Sequence, residues 1–371
     1  MAQGQFNIAP GDIVARKYRV EKLLGAGGMG MVMSAQHLHL GQKVALKFML
    51  PAAIENPTAL ERFFREAQAT FRLTSEHVAR VLDVGTLDNG APYIVMEYLN
   101  GTNFADLLAN SETLPMARAV DYVLQAAEAI AEAHSLGIIH RDLKPANLFL
   151  TTRNDGTPLV KVLDFGISKL TASLMGSGSQ GHALTKTNRA IGSPRYMAPE
   201  QITAPKTVDR RADIWGLGVL LFELCSGRAP FEAPSVAELC LKVVRDKPAM
   251  LAGKHIPVGF AEVVGRCLEK DPSKRFADVA ELAEALAFYS ESGARTSLKR
   301  IGGVSRMEKS PTPTAAPVVP IRGNALSLDD LHIDVEICDG TVELGDDDVG
   351  LGDDDVGLGK TMPDQRAKRG V

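Results

Sequence analysis

Between Tyr18 and about Tyr289 the apolar residues recur with two different periods, and the change from one to the other divides the chain. In the first part the pattern is that of short strands. YRVEKLLG, KVALKFML, VARVLDVG and YIVMEYL are β-rich runs bounded by Gly, Asn or Pro. One helix interrupts them, NPTALERFFREAQATFRL, whose Leu60, Phe63, Phe64, Ala67 and Phe71 fall on one broad face. After Gly101 a helical period takes over. PMARAVDYVLQAAEAIAEAHSLG sets Val120, Val123, Leu124, Ala127, Ile130 and Ala131 on one stripe, with Pro115 at its start and Gly137 past its end. DIWGLGVLLFELCSG is apolar around nearly its whole circumference, which predicts a buried central helix. The expectation is an α+β chain with a small β-rich lobe (18–99), a larger helical lobe (100–288) and a cleft between them.

Outside that region the pattern fades. Residues 1–17 read as a short polar leader, and 289–371 turn Pro-rich (KSPTPTAAPVVP) and then acidic. Although the whole chain carries a net charge of only −4, residues 301–371 hold fourteen Asp/Glu against seven Lys/Arg. The unit GDDDVGL occurs at 345 and again at 352. One Val and one Leu per unit cannot form a coiled-coil seam, and the spacing lacks the alternating ligands and closing Glu of a calcium loop. Such a composition cannot offset the entropy of ordering, so a disordered tail is predicted. By that reading, deleting 296–371 should leave thermal stability and intrinsic activity close to intact.

Composition narrows the function classes. A hydrophobic fraction of 45% supports a sizeable core. No basic block suits a nucleic-acid groove, and no run of ~18 apolar residues suits a membrane span. Cys225, Cys240, Cys267 and Cys338 are far apart without a CxxC pair, which fits a reducing, cytoplasmic setting better than a zinc site or a disulfide framework.

The chemistry concentrates along the expected cleft. IIHRDLKPANLFL, residues 138–150, packs His140, Arg141, Asp142, Lys144 and Asn147 between apolar flanks, a costly arrangement unless each group is paired, solvated or reactive. A surface salt-bridge cluster would leave those flanks unexplained. LGAGGMGMV, residues 24–32, places Gly25, Gly27 and Gly30 in a strand-turn-strand pattern, where backbone N–H groups can approach phosphate oxygens. A glycine-rich hairpin turn accounts for it equally well. Lys47, in VALK, is either a snorkelling edge residue or a cleft cation held by an acid. Glu66 on the 57–73 helix offers that acid, whereas Glu61, five residues earlier and about 500° around, points elsewhere.

Taken in order, GxGxxGxV at 25–32, VALK, Glu66, HRDLKPAN, Asp164-Phe165-Gly166 and Ala198-Pro199-Glu200 resemble the signature set of protein kinases. Over roughly 18–288 the chain is similar to the bacterial eukaryotic-like (Hanks-type) serine/threonine kinases. The resemblance implies a bilobal kinase fold and transfer of the γ-phosphate of ATP, with Mg²⁺ or in its place Mn²⁺, to Ser/Thr hydroxyls of protein substrates. It implies that Leu24, Gly25, Ala26, Gly27, Gly28, Met29 and Gly30 cover the nucleotide, and that Lys47, tied to Glu66, holds the α and β phosphates. Val32, Ala45 and Phe149 would sandwich the adenine, Met96 would stand behind it, and the backbone of Glu97 and Leu99 would bond its edge; core packing accounts for Val32 and Ala45 almost as well. Asp164 and Asn147 would hold the metal, Asp142 would accept the hydroxyl proton, and Lys144 would neutralise the moving γ-phosphate. Glu200 with Arg275 resembles a structural ion pair of the family, and Asp213 a brace for the catalytic loop.

Two positions depart from the family pattern: Ser193 stands where Thr is commoner, and Gly216 replaces a Ser. Ser193 keeps a hydroxyl for Asp142 and Lys144, and Gly216 reads as a packing variant. A pseudokinase scaffold is a competing reading, but none of Lys47, Glu66, Asp142, Asn147 or Asp164 is missing. A small-molecule phosphotransferase usually lacks the glycine loop and the APE-terminated segment. Arg141 beside Asp142 implies activation by phosphate on residues 167–197, with Thr185 and Thr187 the expected sites, modified within a transient homodimer. The tail would recruit basic partners, or phosphothreonine-binding ones through Thr312, Thr314 and Thr361; a spacer with no partner accounts for it nearly as well.

Overall fold

The computed structural model describes residues 8–27, 30–54, 56–111, 113–165, 194–292 and 294–308. Gly28, Met29, Gly166, Thr185, Thr187, Ser193 and the acidic repeats lie outside them.

The N-terminal lobe is a six-stranded antiparallel sheet of β1 (Ile13–Val14), β2 (Tyr18–Ala26), β3 (Gly30–His37), β4 (Lys43–Met49), β5 (Val81–Thr86) and β6 (Pro92–Glu97), ordered β1-β2-β3-β4-β6-β5. Alternation along β4 sends Val44, Leu46 and Phe48 into a core with Tyr18, Val20, Met33 and Val95. The opposite face carries Ala45, Lys47 and Met49. Met49 packs there with Ile94 against Phe63 and Ala67. Those two residues sit on α2 (Pro57–Phe71), which follows a single turn, α1 (Pro51–Ile54). The side chain of Asn56 accepts from the N–H groups of Thr58 and Ala59, and Pro57 takes the first helical position, so two sequence signals start α2. Its apolar face is narrower than expected, because Phe71 is 70% exposed. The leader is also shorter than composition suggests: Ile13 and Val14 pair with Arg19 and Tyr18, and Val14 is buried in the sheet's core.

The helical lobe opens with β7 (Thr102–Asn103), α3 (Phe104–Ser111) and α4 (Met116–Ser135), followed by the hairpin β8 (Leu148–Thr152) and β9 (Pro158–Val162). Every residue of the predicted α4 stripe is buried. After α5 (Pro199–Thr203) comes α6 (Arg211–Ser226), buried continuously from Ala212 to Leu224 and closed by Gly227 in the left-handed conformation. A Cβ on Gly216 would meet that of Leu143 at 2.9 Å, so the expected packing variant has a cause: glycine makes room for the loop that carries Asp142. The helices α7 (Val236–Arg245), α8 (Val258–Cys267) and α9 (Val279–Leu286) complete the core around α6.

The largest correction concerns residues 289–308, which composition assigns to the tail. Residues Arg295–Glu308 form α10, packed along α4, with Ala294 and Ile301 buried in the main core. Leu298 packs beside them, and so few apolar side chains suffice because polar residues supply the remaining contacts. Ser297 Oγ donates to Glu128 Oε1 at 2.5 Å, and Arg300 Nη1 donates to Glu128 Oε2 at 3.0 Å and Glu76 Oε1 at 2.6 Å. Arg153 Nε reaches the other oxygen of Glu76 at 3.1 Å.

The bond from Arg153, and that from Arg300 against the opposing effect of burial, push the Glu76 carboxyl from 4.5 down to about 2. A depressed folded-state value contributes stability that is complete above about pH 4.5 and is lost as the pH falls towards about 2. Glu76 is more than a third exposed, so solvent screening keeps the contribution small. In urea melts at about pH 5 and about pH 3, Glu76→Gln is expected to lose less stability across that interval than the wild type.

Candidate active site

The site lies in a cleft of about 560 Å³ between the lobes. Leu24, Gly25, Val32 and Ala45 line it from the sheet; Met96, Glu97 and Leu99 from the strand-to-helix connection; Phe149, Leu163 and Asp164 from the second lobe. Strand registry accounts for the sheet side, since Val32 pairs with Lys47 and Ala45 with Met96.

The glycines divide by physical role. A Cβ on Gly25 would meet nothing within 4 Å, and one on Gly27 only the Gly30 carbonyl at 4.0 Å, so the loop leaves space for a ligand. Ala26 ends β2 beside them, exposed. Gly30 has another purpose: its Cβ would lie 2.2 Å from the Phe48 carbonyl oxygen. It permits strand pairing rather than phosphate approach.

Lys47 Nζ donates to Glu66 Oε1 at 2.7 Å and to Asp164 Oδ1 at 2.6 Å, so the snorkelling alternative does not apply. Burial alone would lower the Lys47 ammonium's pKa, but the Asp164 and Glu66 carboxylates outweigh it and hold it above the ordinary lysine value. Lys47 therefore stays charged, a fixed cation on the cleft wall.

On the other side, Lys144 Nζ donates to Asp142 Oδ2 at 2.9 Å. Asn147 Nδ2 donates to Asp142 Oδ2 at 2.9 Å and to its carbonyl at 2.8 Å. With its amide N–H groups turned to Asp142, Asn147 presents its oxygen as the remaining donor atom. That oxygen and the Asp164 carboxylate are hard donors of the kind Mg²⁺ prefers, so the residues present fit such an ion.

The loop carrying Asp142 is held from within the core. Asp213 Oδ2 accepts from His134 Nε2 and the His140 N–H, and Oδ1 from the Arg141 N–H, each at 2.8 Å. Burial works against the Asp213 charge, but these bonds prevail and keep its carboxyl below the usual range. They also hold Arg141 at φ 63°, a left-handed conformation that L residues rarely adopt. His140 Nε2 donates to the Leu163 carbonyl at 3.0 Å, and its Nδ1 accepts from the Asp142 N–H at 3.2 Å, tying the loop to the strand exit at Asp164. Glu200 and Arg275 form a bidentate pair at 2.7 and 2.8 Å, with Arg275 only 2% exposed.

Sequence reasoning missed three supports. Lys161, 6% exposed, donates to Glu97 Oε1 at 2.6 Å and braces the connection from behind. A charged residue inside the strand PLVKV was the available signal. Gln201 Nε2 donates to the Arg141 carbonyl at 2.9 Å, and nothing local in the sequence announces it. Leu163 lines the cleft, and its place immediately before Asp164 could have shown it.

A family model described as the protein kinase domain matches residues 18–287. The chain belongs to that family. Among relatives of this kinase domain, the serine/threonine-protein kinase pkn3 of Myxococcus xanthus is 36% identical over 315 residues, covering 84% of this chain and 57% of that protein. The serine/threonine-protein kinase PknB of Mycolicibacterium smegmatis is 33% identical over 304 residues, 81% of this chain and 47% of that one. A solved structure of a double mutant of the Mycobacterium tuberculosis PknI kinase domain aligns with 76% of this chain and 99% of its own, at 28% identity and a TM-score of 0.59. The chain spans about half the length of the curated relatives it matches. Among the described residues, no helix of the kinase is long and apolar enough to cross a membrane.

Proposed function

We propose that the chain is a serine/threonine protein kinase that transfers the γ-phosphoryl group of ATP to protein hydroxyls. The observation that carries this reading is the pair of charge clusters facing one cleft, Lys47 with Glu66 and Asp164, and Asp142 with Lys144 and Asn147. ATP with a divalent ion, Mg²⁺ or in its place Mn²⁺, supplies the phosphoryl group and its counter-charge. Lys47 fixes the phosphates against the sheet, and Glu66 fixes Lys47. Asp142, aimed by Asn147, orients the acceptor hydroxyl and takes its proton, while Lys144 balances charge on the transferred group. Val32, Ala45 and Phe149 provide apolar surfaces for the base. The described cysteines Cys225, Cys240 and Cys267 are free, which supports a reducing, cytoplasmic setting.

The test is incubation of the purified full chain with Mg-ATP and a generic Ser/Thr protein, read by phospho-amino-acid analysis. Phosphoserine or phosphothreonine is expected; exclusive phosphotyrosine, or phosphate on a small molecule only, would overturn the reading. The same samples address Thr185 and Thr187, our proposed activating autophosphorylation sites. Wild-type protein should carry phosphate there and the Asp142→Asn protein should not.

A further inference from the structure

Helix α10 lies beyond the segment the kinase family model matches, yet it reaches a part of the molecule that bears on catalysis. Glu66 belongs to α2, whose Ala69 packs into the core of the second lobe and whose following loop is fastened there. Residues 74–79 are bound there throughout. Glu132 on α4 accepts from the Thr74 and Ser75 N–H groups at 2.8 Å each. His77 Nδ1 donates to the Val160 carbonyl at 2.8 Å, and the Val162 N–H to the His77 carbonyl at 2.7 Å. The loop therefore docks on α4 and β9, and β9 leads directly to Asp164.

Within this junction sits an unusual acid. Glu128 on α4 is 7% exposed and faces His77 and Glu76. A carboxylate so buried is strongly destabilising unless a cation or donor meets it. His77 does not fill that need. Its Nδ1 proton is used on Val160, its Nε2 makes no hydrogen bond, and burial pushes its pKa down. The cation comes from α10: one nitrogen of Arg300 bridges Glu128 and Glu76, and Ser297 donates to the remaining Glu128 oxygen. Arg153, at the end of β8, grips Glu76 from the other side.

We propose that Arg300 is a positioning residue for phosphoryl transfer, clamping Glu76 of the post-α2 loop to Glu128 of α4 and so fixing the helix that presents Glu66 to Lys47. The proposal rests on the kinase reading above. Arg300 touches neither nucleotide nor acceptor and acts through α2. A lysine at this position would keep the charge on a side chain one atom shorter and more strongly hydrated, so its ammonium should bridge the two acids less well.

The experiment compares the full chain with its Arg300→Ala and Arg300→Lys variants. Turnover and KM for ATP are measured on a generic Ser/Thr substrate, and hydrogen exchange is followed peptide by peptide. Arg300 is half exposed, so both variants are expected to fold. Arg300→Ala should lower kcat about five- to tenfold, with faster exchange in 57–78 and unchanged exchange in α6. Arg300→Lys should fall between the two. Wild-type kcat, KM and α2 exchange in Arg300→Ala, with only a lower melting temperature, would overturn the proposal and make α10 a packing element. Absence of phosphotransfer in the wild type would instead overturn the kinase reading. The exchange pattern would still decide whether Arg300 controls α2.

Discussion

Replacing Asp142 by Asn is expected to lower turnover by about two to four orders of magnitude while leaving the melting temperature close to that of the wild type. The side chain keeps its shape, and its oxygen can still accept from the Asn147 amide, the bond that orients it at 2.9 Å. What disappears is the negative charge that pairs with Lys144 and that, in the function proposed above, draws the hydroxyl proton. Because the loop is held by Asp213 through the backbone of His140 and Arg141, its path does not depend on that charge. Steady-state kinetics and thermal melting of the same preparations check both halves. A variant retaining more than a tenth of wild-type turnover would remove Asp142 from the role of base.

Truncation after Ala294 should be severely destabilising, and truncation after Glu308 should not. The first cut removes Ile301, 1% exposed, together with Leu298, whose burial stabilises by about 2 kcal/mol for the larger contact and less for the other. It also takes Ser297 and Arg300 from Glu128, each bond worth about 1 kcal/mol or more where a charge is involved. The sum, about 4 kcal/mol, corresponds to a fall in melting temperature on the order of 10 °C. A cut after Glu308 is expected to shift it by no more than about 2 °C. Differential scanning calorimetry of the two truncated chains distinguishes the outcomes. Equal melting temperatures would return α10 to the tail.

The contrast between these two regions shows what a sequence displays and what it hides. The Lys47–Glu66 pair was legible because a lysine inside an apolar strand needs an acid, and helix geometry alone separates Glu66 from Glu61; the bond from Asn147 to Asp142 was not, since both lie in a loop without a period. Helix α6 was legible because its apolar surface has no polar side. Helix α10 was not, since RTSLKRIGGVSR contains two glycines and only three aliphatic residues, and its partners Glu76 and Glu128 lie more than 160 residues away. Polar docking across such a separation leaves no periodic trace. Gly30 shows a subtler limit: the glycine was visible, but the Phe48 carbonyl that requires it was not.

The bonds that Asp213 makes have a consequence in time. Active-site loops commonly open faster than the scaffold that bears them. Here the amides of His140 and Arg141 end on a carboxylate rooted in the first turn of the most deeply buried helix. The loop cannot leave its left-handed turn at Arg141 without surrendering those bonds and exposing a desolvated charge. Its lifetime is thereby borrowed from the core: the backbone of the loop that carries Asp142 should open on the slow clock of α6.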